Sequence, residues 1–171
     1  NCVTIKSISS EKVLIIGDKA FSGCTALNSA TFINAEKIGS EAFYGTALAS
    51  AAFEKVTEIG VDAFVSCASL EEVCFDSLVT VDLSDFEGCN NIKKFSFNCA
   101  EVFETKDLLL GEFAPNVTDF VANEITSVPD NFFKNCKQLS NVELSSITSV
   151  GDYGFYGTAI TSASFSGLES A

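Results

Sequence analysis

The stretch Ile16-Gly17-Asp18-Lys19-Ala20-Phe21 decides the fold, because the chain repeats it. It returns as Ile38-Gly39-Ser40-Glu41-Ala42-Phe43 and as Ile59-Gly60-Val61-Asp62-Ala63-Phe64. Weaker copies begin at Val81, Val102, Val128 and Val150. A period near 22 is typical of a solenoid, in which each coil packs only on its neighbours. We therefore predict one array of about seven coils over 1–171, as a piece of a longer protein.

Each copy closes with a short alternating stretch, such as Glu72-Val73-Cys74-Phe75. Alternation with a period of two indicates a strand with one buried face, and stacked coils would align these strands into a parallel sheet. The inward side chains then form two ladders. They are Phe32, Phe53, Phe75, Phe97, Leu144 and Phe165, and Phe21, Phe43, Phe64, Phe86, Phe133 and Phe155. The Ala-Phe segment lacks alternation and predicts a single helical or 3-10 turn on the opposite side, and the residues before each glycine predict a second short strand.

Glycine and cysteine recur at fixed places in the copies. Gly17, Gly39, Gly60 and Gly151 predict a positive φ angle or a close approach of the backbone. Four of the seven cysteines (Cys24, Cys67, Cys89 and Cys136) share the ninth place, where we expect an inward ladder of free thiols facing backbone carbonyls. Neighbouring coils would allow a Cys67–Cys89 disulfide by distance, but parallel side chains in register disfavour its dihedral angle. Cys74 is predicted on the outward strand face.

Composition excludes several classes of function. The formal charge is -13, all ten basic residues are lysine and there is no histidine, so binding to nucleic acid is not expected. No apolar run reaches the length of a membrane span, so membrane insertion is not expected within the sequence. Without histidine or a Cys-x-x-Cys pair we expect neither a metal site nor a nucleophile activated by imidazole. We predict no cofactor and no catalysis.

The repeat unit resembles a known family. The pattern Ile-Gly-x-x-Ala-Phe-x-x-Cys-x-x-Leu-x-x-Val/Ala-x-Phe/Leu, best seen in 16–32, 59–75 and 128–144, is similar to the BspA-type leucine-rich repeat. The resemblance implies an α/β solenoid, mostly β, which is a right-handed superhelix with a parallel β-sheet on one side and short helical or 3-10 turns on the other. It also implies a cell-surface or secreted protein of bacteria or parasitic protists, with a role in adhesion to host cells, matrix proteins or other microbes.

The copy that begins at Val102 is irregular. It is the longest copy, since the next one begins only at Val128, and it carries the insertion Lys106–Pro115 in place of Ala-Phe-x-x-Cys. Insertions of this kind form loops or short helices on one face of a solenoid. We expect a longer turn that buries Leu108, Leu109 and Phe113, with a partner-binding protrusion as the alternative. The triplet Asn116-Val117-Thr118 is the one Asn-x-Ser/Thr acceptor in the chain, which makes Asn116 a candidate for glycosylation in a secreted eukaryotic protein.

The outward strand residues are the candidate binding surface for proteins or glycans, including those of a host or its matrix. The candidate contact residues are Thr31, Ala52, Cys74, Ser96, Val121, Glu143 and Ser164, flanked by Glu72, Lys94, Asp119 and Asn141. Acidic residues including Glu71, Glu72, Asp82, Asp85 and Glu87 are expected at exposed positions, where they keep the array soluble. The alternative function is a structural spacer or an intracellular interaction scaffold. Uncapped ends predict end-to-end self-association.

Overall fold

Two sets of short parallel strands, joined by turns, build the array. The computed structural model describes residues 2–98, 101–103, 109–161, 163 and 165, and of 101–103 it describes the backbone. The first set comprises β1 Ser7–Ser9, β3 Ser29–Thr31, β5 Ser50–Phe53, β7 Glu72–Phe75, β9 Lys94–Phe97, β11 Asp119–Ala122 and β13 Asn141–Glu143. The second set comprises β2 Ile15–Ile16, β4 Lys37–Ile38, β6 Glu58–Ile59, β8 Thr80–Asp82, β10 Glu101–Phe103, β12 Ser127–Val128 and β14 Ser149–Val150. The predicted solenoid, mostly β, and its second short strands are confirmed.

The main sheet contains β5, β7, β9, β11 and β13 in that order, and all of its pairs are parallel. Lys94 pairs with Glu72 on one side and with Asp119 on the other. The step along the chain from Lys94 to Asp119 is longer by three than the step from Glu72 to Lys94. The register is nevertheless unbroken, so the extra residues of the insertion are accommodated in the turns and not in the sheet.

Stacked phenylalanine rings run through the interior from coil to coil. The ring centroids of Phe21 and Phe43, of Phe43 and Phe64, and of Phe64 and Phe86 are 5.4, 5.3 and 5.4 Å apart, with interplanar angles of 16°, 13° and 9°. The other predicted ladder, at the ends of the main-sheet strands, is also inward: Phe53 and Phe75 stack at 5.6 Å. Phe rings stack in parallel here because each coil places the same residue directly above its predecessor.

At its last inward position, the strand β11 carries a small residue where most strands of the main sheet carry a large one. Most strands of the main sheet place Phe at the last inward position, as Phe53 does, but β11 has Ala122 there and Phe120 at the first inward position. Both residues are buried. Because interiors tolerate changes that keep the total volume, the ladder continues through this coil with its ring moved by two residues.

The Ala-Phe segments are turns closed by hydrogen bonds to the residue three positions back, and the segment Leu83–Phe86 is a regular 3-10 turn as expected. In the first coil the N–H groups of Lys19, Phe21 and Gly23 donate to the carbonyls of Ser40, Ala42 and Tyr44 in the next coil. The intervening N–H groups bond three residues back, as Cys24 does to Phe21. Lys19 has a φ of 57°, which interrupts any helix. Helical segments are found in the described chain at the 3-10 helix Leu83–Phe86 and at α1, Leu110–Phe113.

The repeated glycine is required by close approach and not by its φ angle. A Cβ on Gly39 would lie 2.5 Å from the Asp18 nitrogen, and one on Gly60 would collide with the Ser40 nitrogen in the preceding coil. A Cβ on Gly17 would meet nothing within 4 Å. Positive φ angles occur two residues later, at Lys19, Glu41, Asp62 and Tyr153, and also at Asn131, which follows Pro129 in the equivalent place. Of the two reasons predicted for these glycines, the close approach is the one that the structure shows.

The cysteine ladder is inward and reduced. The Sγ of Cys67 donates to the Phe43 carbonyl and that of Cys89 to the Phe64 carbonyl, both at 3.1 Å. Cys24, Cys67, Cys89 and Cys136 are buried free thiols. The hydrogen bond shared with Cys67, together with burial, raises the pKa of the Cys89 thiol, so Cys89 stays neutral. The predictions of free thiols and of carbonyl partners are confirmed, while Cys99 lies outside the described residues.

The predicted exposure of three acidic residues is wrong. Asp85 was expected on the surface but is only 6% exposed, because it takes the position that Ala42 and Ala63 occupy in other coils. Its Oδ1 accepts a hydrogen bond of 2.8 Å from the N–H of Asp62. Asp82 and Glu87 are partly buried, and Asp82 caps the 3-10 helix by accepting from the Ser84 N–H.

Asp82 and Asp85 therefore stabilise the turns by accepting backbone hydrogen bonds, and they do not form a solvated face. Glu71 and Glu72 are exposed, as expected.

The insertion packs against the following coil through α1. Leu110 and Phe113 are buried and Leu109 is partly buried. A Cβ on Gly111 would lie 2.8 Å from the Lys134 carbonyl, so the helix backbone rests on the next coil. The expected burial of Phe113 is confirmed, and Leu108 lies outside the described residues.

Candidate functional site

The strand face is the outward side of the five-stranded sheet β5–β13. Its side chains are held in line by the ladder pairs, because the register places them opposite one another on neighbouring strands. One row consists of Ala52, Cys74, Ser96, Val121 and Glu143, and the other of Ser50, Glu72, Lys94, Asp119 and Asn141. The structure thus brings together nine of the eleven ligand-contact candidates that the sequence singled out and that are named above.

The two remaining candidates are outside these nine for different reasons. Thr31 is exposed on β3, which pairs with β1 in a separate two-stranded sheet. Ser164 lies outside the described residues.

A groove of about 560 Å³ crosses the strand face over β7, β9, β11 and β13. Seven of the candidates line it, and Lys93 and Thr118 complete it: the lining is Glu72, Lys93, Lys94, Ser96, Thr118, Asp119, Val121, Asn141 and Glu143. Lys93 and Thr118 were missed because each precedes its strand, where alternation no longer tells which way a side chain points. Their position next to the outward Lys94 and Asp119 was the available signal.

Hydrogen bonds fix part of this groove. Both Asp119 carboxylate oxygens are engaged, one by the Thr118 hydroxyl at 2.5 Å and the other by the Asn141 amide at 3.1 Å. Lys93 forms an ion pair with Glu71 at 2.8 Å. The side chains of Glu72, Lys94 and Glu143 form no ion pair or hydrogen bond with any part of the chain that the structure describes. The groove therefore combines a preorganised polar floor with charged groups available to a ligand.

A second groove of about 400 Å³ lies where the face is interrupted. It lies between β3 and β5 and is lined by the small side chains of Asn28, Ser29, Ala30, Thr31, Ala49, Ser50 and Ala52. These two strands form no ladder, and one hydrogen bond of 3.3 Å joins the Ala49 N–H to the Asn28 carbonyl. The turn that leads into β5 is shorter by one residue, because Thr46-Ala47-Leu48 replaces Cys24-Thr25-Ala26-Leu27. The shorter turn coincides with the break in the sheet.

The Cys74 thiol sits on the strand face between Ala52 and Ser96. Burial raises its pKa, so this partly exposed group is a neutral thiol near pH 7. Among the residues that the structure describes, no cluster of three or more cysteine or acidic side chains could hold a metal ion. No helix in the described ranges is long and apolar enough to cross a membrane.

Asn116 bridges three coils. Its Nδ2 donates to the Asn90 carbonyl at 2.9 Å, and its Oδ1 accepts from Gln138 Nε2 at 3.0 Å. The nitrogen that a glycan would modify is thus a hydrogen-bond donor to the preceding coil in the folded chain, and a glycan would have to replace its second hydrogen for that bond to be kept.

Parallel strand ladders, turns on the opposite side and stacked aromatic columns with a period near 22 define a leucine-rich-repeat solenoid. Six copies of the BspA type leucine-rich repeat region match residues 1–106 and 114–170, and the chain belongs to this family. The unmatched gap falls within the insertion.

The solved structures most useful for comparison are bacterial. A leucine-rich repeat protein from Eubacterium ventriosum ATCC 27560 is 25% identical with a TM-score of 0.74, over 94% of this chain and 45% of that one. A leucine rich cell surface protein from Faecalibacterium prausnitzii A2-165 is 21% identical with a TM-score of 0.47, over 91% of this chain and 52% of that one. This chain therefore spans about half the length of these proteins. No curated protein matches it.

Proposed function

We propose that this chain is a non-catalytic binding module whose strand face contacts another macromolecule. The observation that carries the proposal is the groove across β7, β9, β11 and β13, with its nine polar, charged and apolar side chains on or directly before these four strands. These side chains are not needed to fill the core, because the inward rows of the same strands do so. A rigid face whose side chains are not required by the core suits a broad contact that gains strength from many repeats.

Two substitutions in the groove test the proposal. Val121→Asp and Glu143→Lys each change the face without reaching the core, and Val79→Asp is a matched control because Val79 is exposed outside the groove. Purified variants are compared on an array of immobilised matrix proteins, mucins and glycans. Binding that is lost in both groove variants and kept in the control supports the proposal. Equal binding by all four proteins argues instead for a spacer.

We also propose a cell-surface location, which membership of the BspA-type leucine-rich-repeat family implies. The test labels intact source cells with a membrane-impermeant reagent and then detects the chain. Labelling of intact cells supports an adhesin-type role, and labelling that appears only after lysis favours an intracellular scaffold.

A further inference from the structure

The charges of the groove divide into engaged and available groups. Lys93 and Asp119 are engaged by Glu71, Thr118 and Asn141, as described above. Glu72, Lys94 and Glu143 line the same groove and form no ion pair or hydrogen bond within the described chain. The available charges are therefore negative, positive and negative from β7 through β9 to β13.

The ladder sets the spacing of these three charges. Glu72 and Lys94 are directly paired on adjacent strands, which are roughly 4.8 Å apart. Glu143 lies two strands beyond β9, roughly 10 Å away across the sheet, and in the neighbouring outward row. Lys94 is partly buried, whereas Glu72 and Glu143 are exposed. Since a partly buried charge is screened less than an exposed one, Lys94 is the group whose pairing a partner would most improve.

The side chains of the groove favour a protein partner over a glycan or a nucleic acid. None of its nine lining residues is aromatic, so the groove offers no ring surface on which a sugar or a base could stack. A formal charge of -13 repels polyanions and steers positively charged partners toward the chain.

From these observations, and resting on the proposed function, we infer that the groove binds a protein segment that presents an acidic side chain between two basic ones. The central carboxylate pairs with Lys94, and the flanking basic groups pair with Glu72 and Glu143. Val121 lies between these charges and contacts an apolar part of the segment. Charge order, more than net charge, distinguishes the right partner from wrong ones.

Two synthetic peptides of matched length and opposite charge order test this inference. Their charge orders are basic–acidic–basic and acidic–basic–acidic, with identical neutral spacers, and affinity is measured by fluorescence anisotropy at low salt. We expect the wild-type chain to bind the first peptide about tenfold more tightly, which corresponds to about 1.4 kcal/mol. The preference should shrink as salt is added.

A triple variant, Glu72→Lys with Lys94→Glu and Glu143→Lys, should reverse the preference. Its net charge rises by two, as does that of the control Glu124→Lys, whose side chain is exposed outside the groove. Reversal in the triple variant with no change in the control supports the inference, since both carry the same net charge.

Equal affinity for both peptides, absence of binding, or a preference that the triple variant keeps overturns the inference. The proposed function fails separately, when Val121→Asp leaves binding on the macromolecule array intact.

Discussion

The interior columns and the strand face follow opposite rules, although both belong to the same strands. Along a column the residue type recurs, as in the stacked rings of Phe43, Phe64 and Phe86. Along the face the residue changes at each step, from Ala52 through Ser96 to Glu143. A column has one neighbour above and one below, so its residues must match in size and shape, whereas an outward side chain meets solvent. The repeat therefore preserves the fold and leaves the face free to specify a partner.

The largest effect expected is from breaking a column. Phe64 is fully buried and its ring packs against those of Phe43, Phe53, Phe75 and Phe86. Phe64→Ala should lower the free energy of unfolding by about 3–5 kcal/mol, since the lost burial is joined by a cavity. Urea unfolding followed by circular dichroism measures this change in the free energy of unfolding. Ser96→Ala on the strand face is the control and should change stability by less than about 0.5 kcal/mol. Similar losses in both variants would contradict the comparison.

Substitution of two glycines in the repeat is expected to have the next largest effect on stability. Gly60→Ala places a methyl group against the backbone of Ser40, and we expect a loss of about 1–3 kcal/mol from the forced shift of the coil. Gly17→Ala meets open space and should be neutral or slightly stabilising, because alanine restricts the unfolded chain. Melting temperatures of the two variants, measured side by side, test whether contact between coils is the reason for this glycine.

Asp85 is the exception to the repeating interior, because it is an acidic residue inside a column. Asp85→Ala restores the residue found in the regular coils but removes the acceptor for the Asp62 N–H, so we expect a loss of about 1–2 kcal/mol. Asp130→Ala removes an exposed carboxylate that accepts from the Asp152 N–H at 2.8 Å, and it should cost less, about 0.5–1 kcal/mol. Chemical denaturation measures which of the two variants loses more free energy of unfolding. A more stable Asp85→Ala chain would show that the carboxylate serves something other than the turn.

The smallest effect is expected in the rates at which the cysteine thiols are alkylated. Backbone hydrogen bonds from Ile5 and Thr4 lower the pKa of Cys2, and burial raises that of Cys74. Because the thiolate is the reactive form, Cys2 should be alkylated first near neutral pH and Cys74 should react only as the pH rises above the usual thiol range. Cys67 and Cys89 should react only after unfolding. Timed alkylation at several pH values with peptide mapping by mass spectrometry resolves each site, and early labelling of Cys89 would contradict the buried column.

The repeat pattern was enough to predict the columns, the parallel strands and the free cysteines, because each depends on one residue type recurring once per coil. The same pattern misplaced Asp85, since an aspartate inside a column is recognised only when the N–H that it caps is known. It predicted one helical or 3-10 turn per coil, but it did not predict that bonds to the next coil alternate with the 3-10 bonds, because the positive φ of residues such as Lys19 leaves no clear signature in the sequence. The outward rows were predicted from alternation, but Lys93 and Thr118 were missed.

The sequence by itself determined the architecture: a regular repeat, with Phe, Gly and Cys at fixed places, can bury its apolar residues only by stacking coils. The tertiary structure decided which charges on the strand face are available. Lys93 and Lys94 are adjacent in the chain, yet one is neutralised by Glu71 and the other has no such partner within the described residues. That distinction arises between neighbouring coils, where the register of the strands and not the order of the residues sets which groups meet.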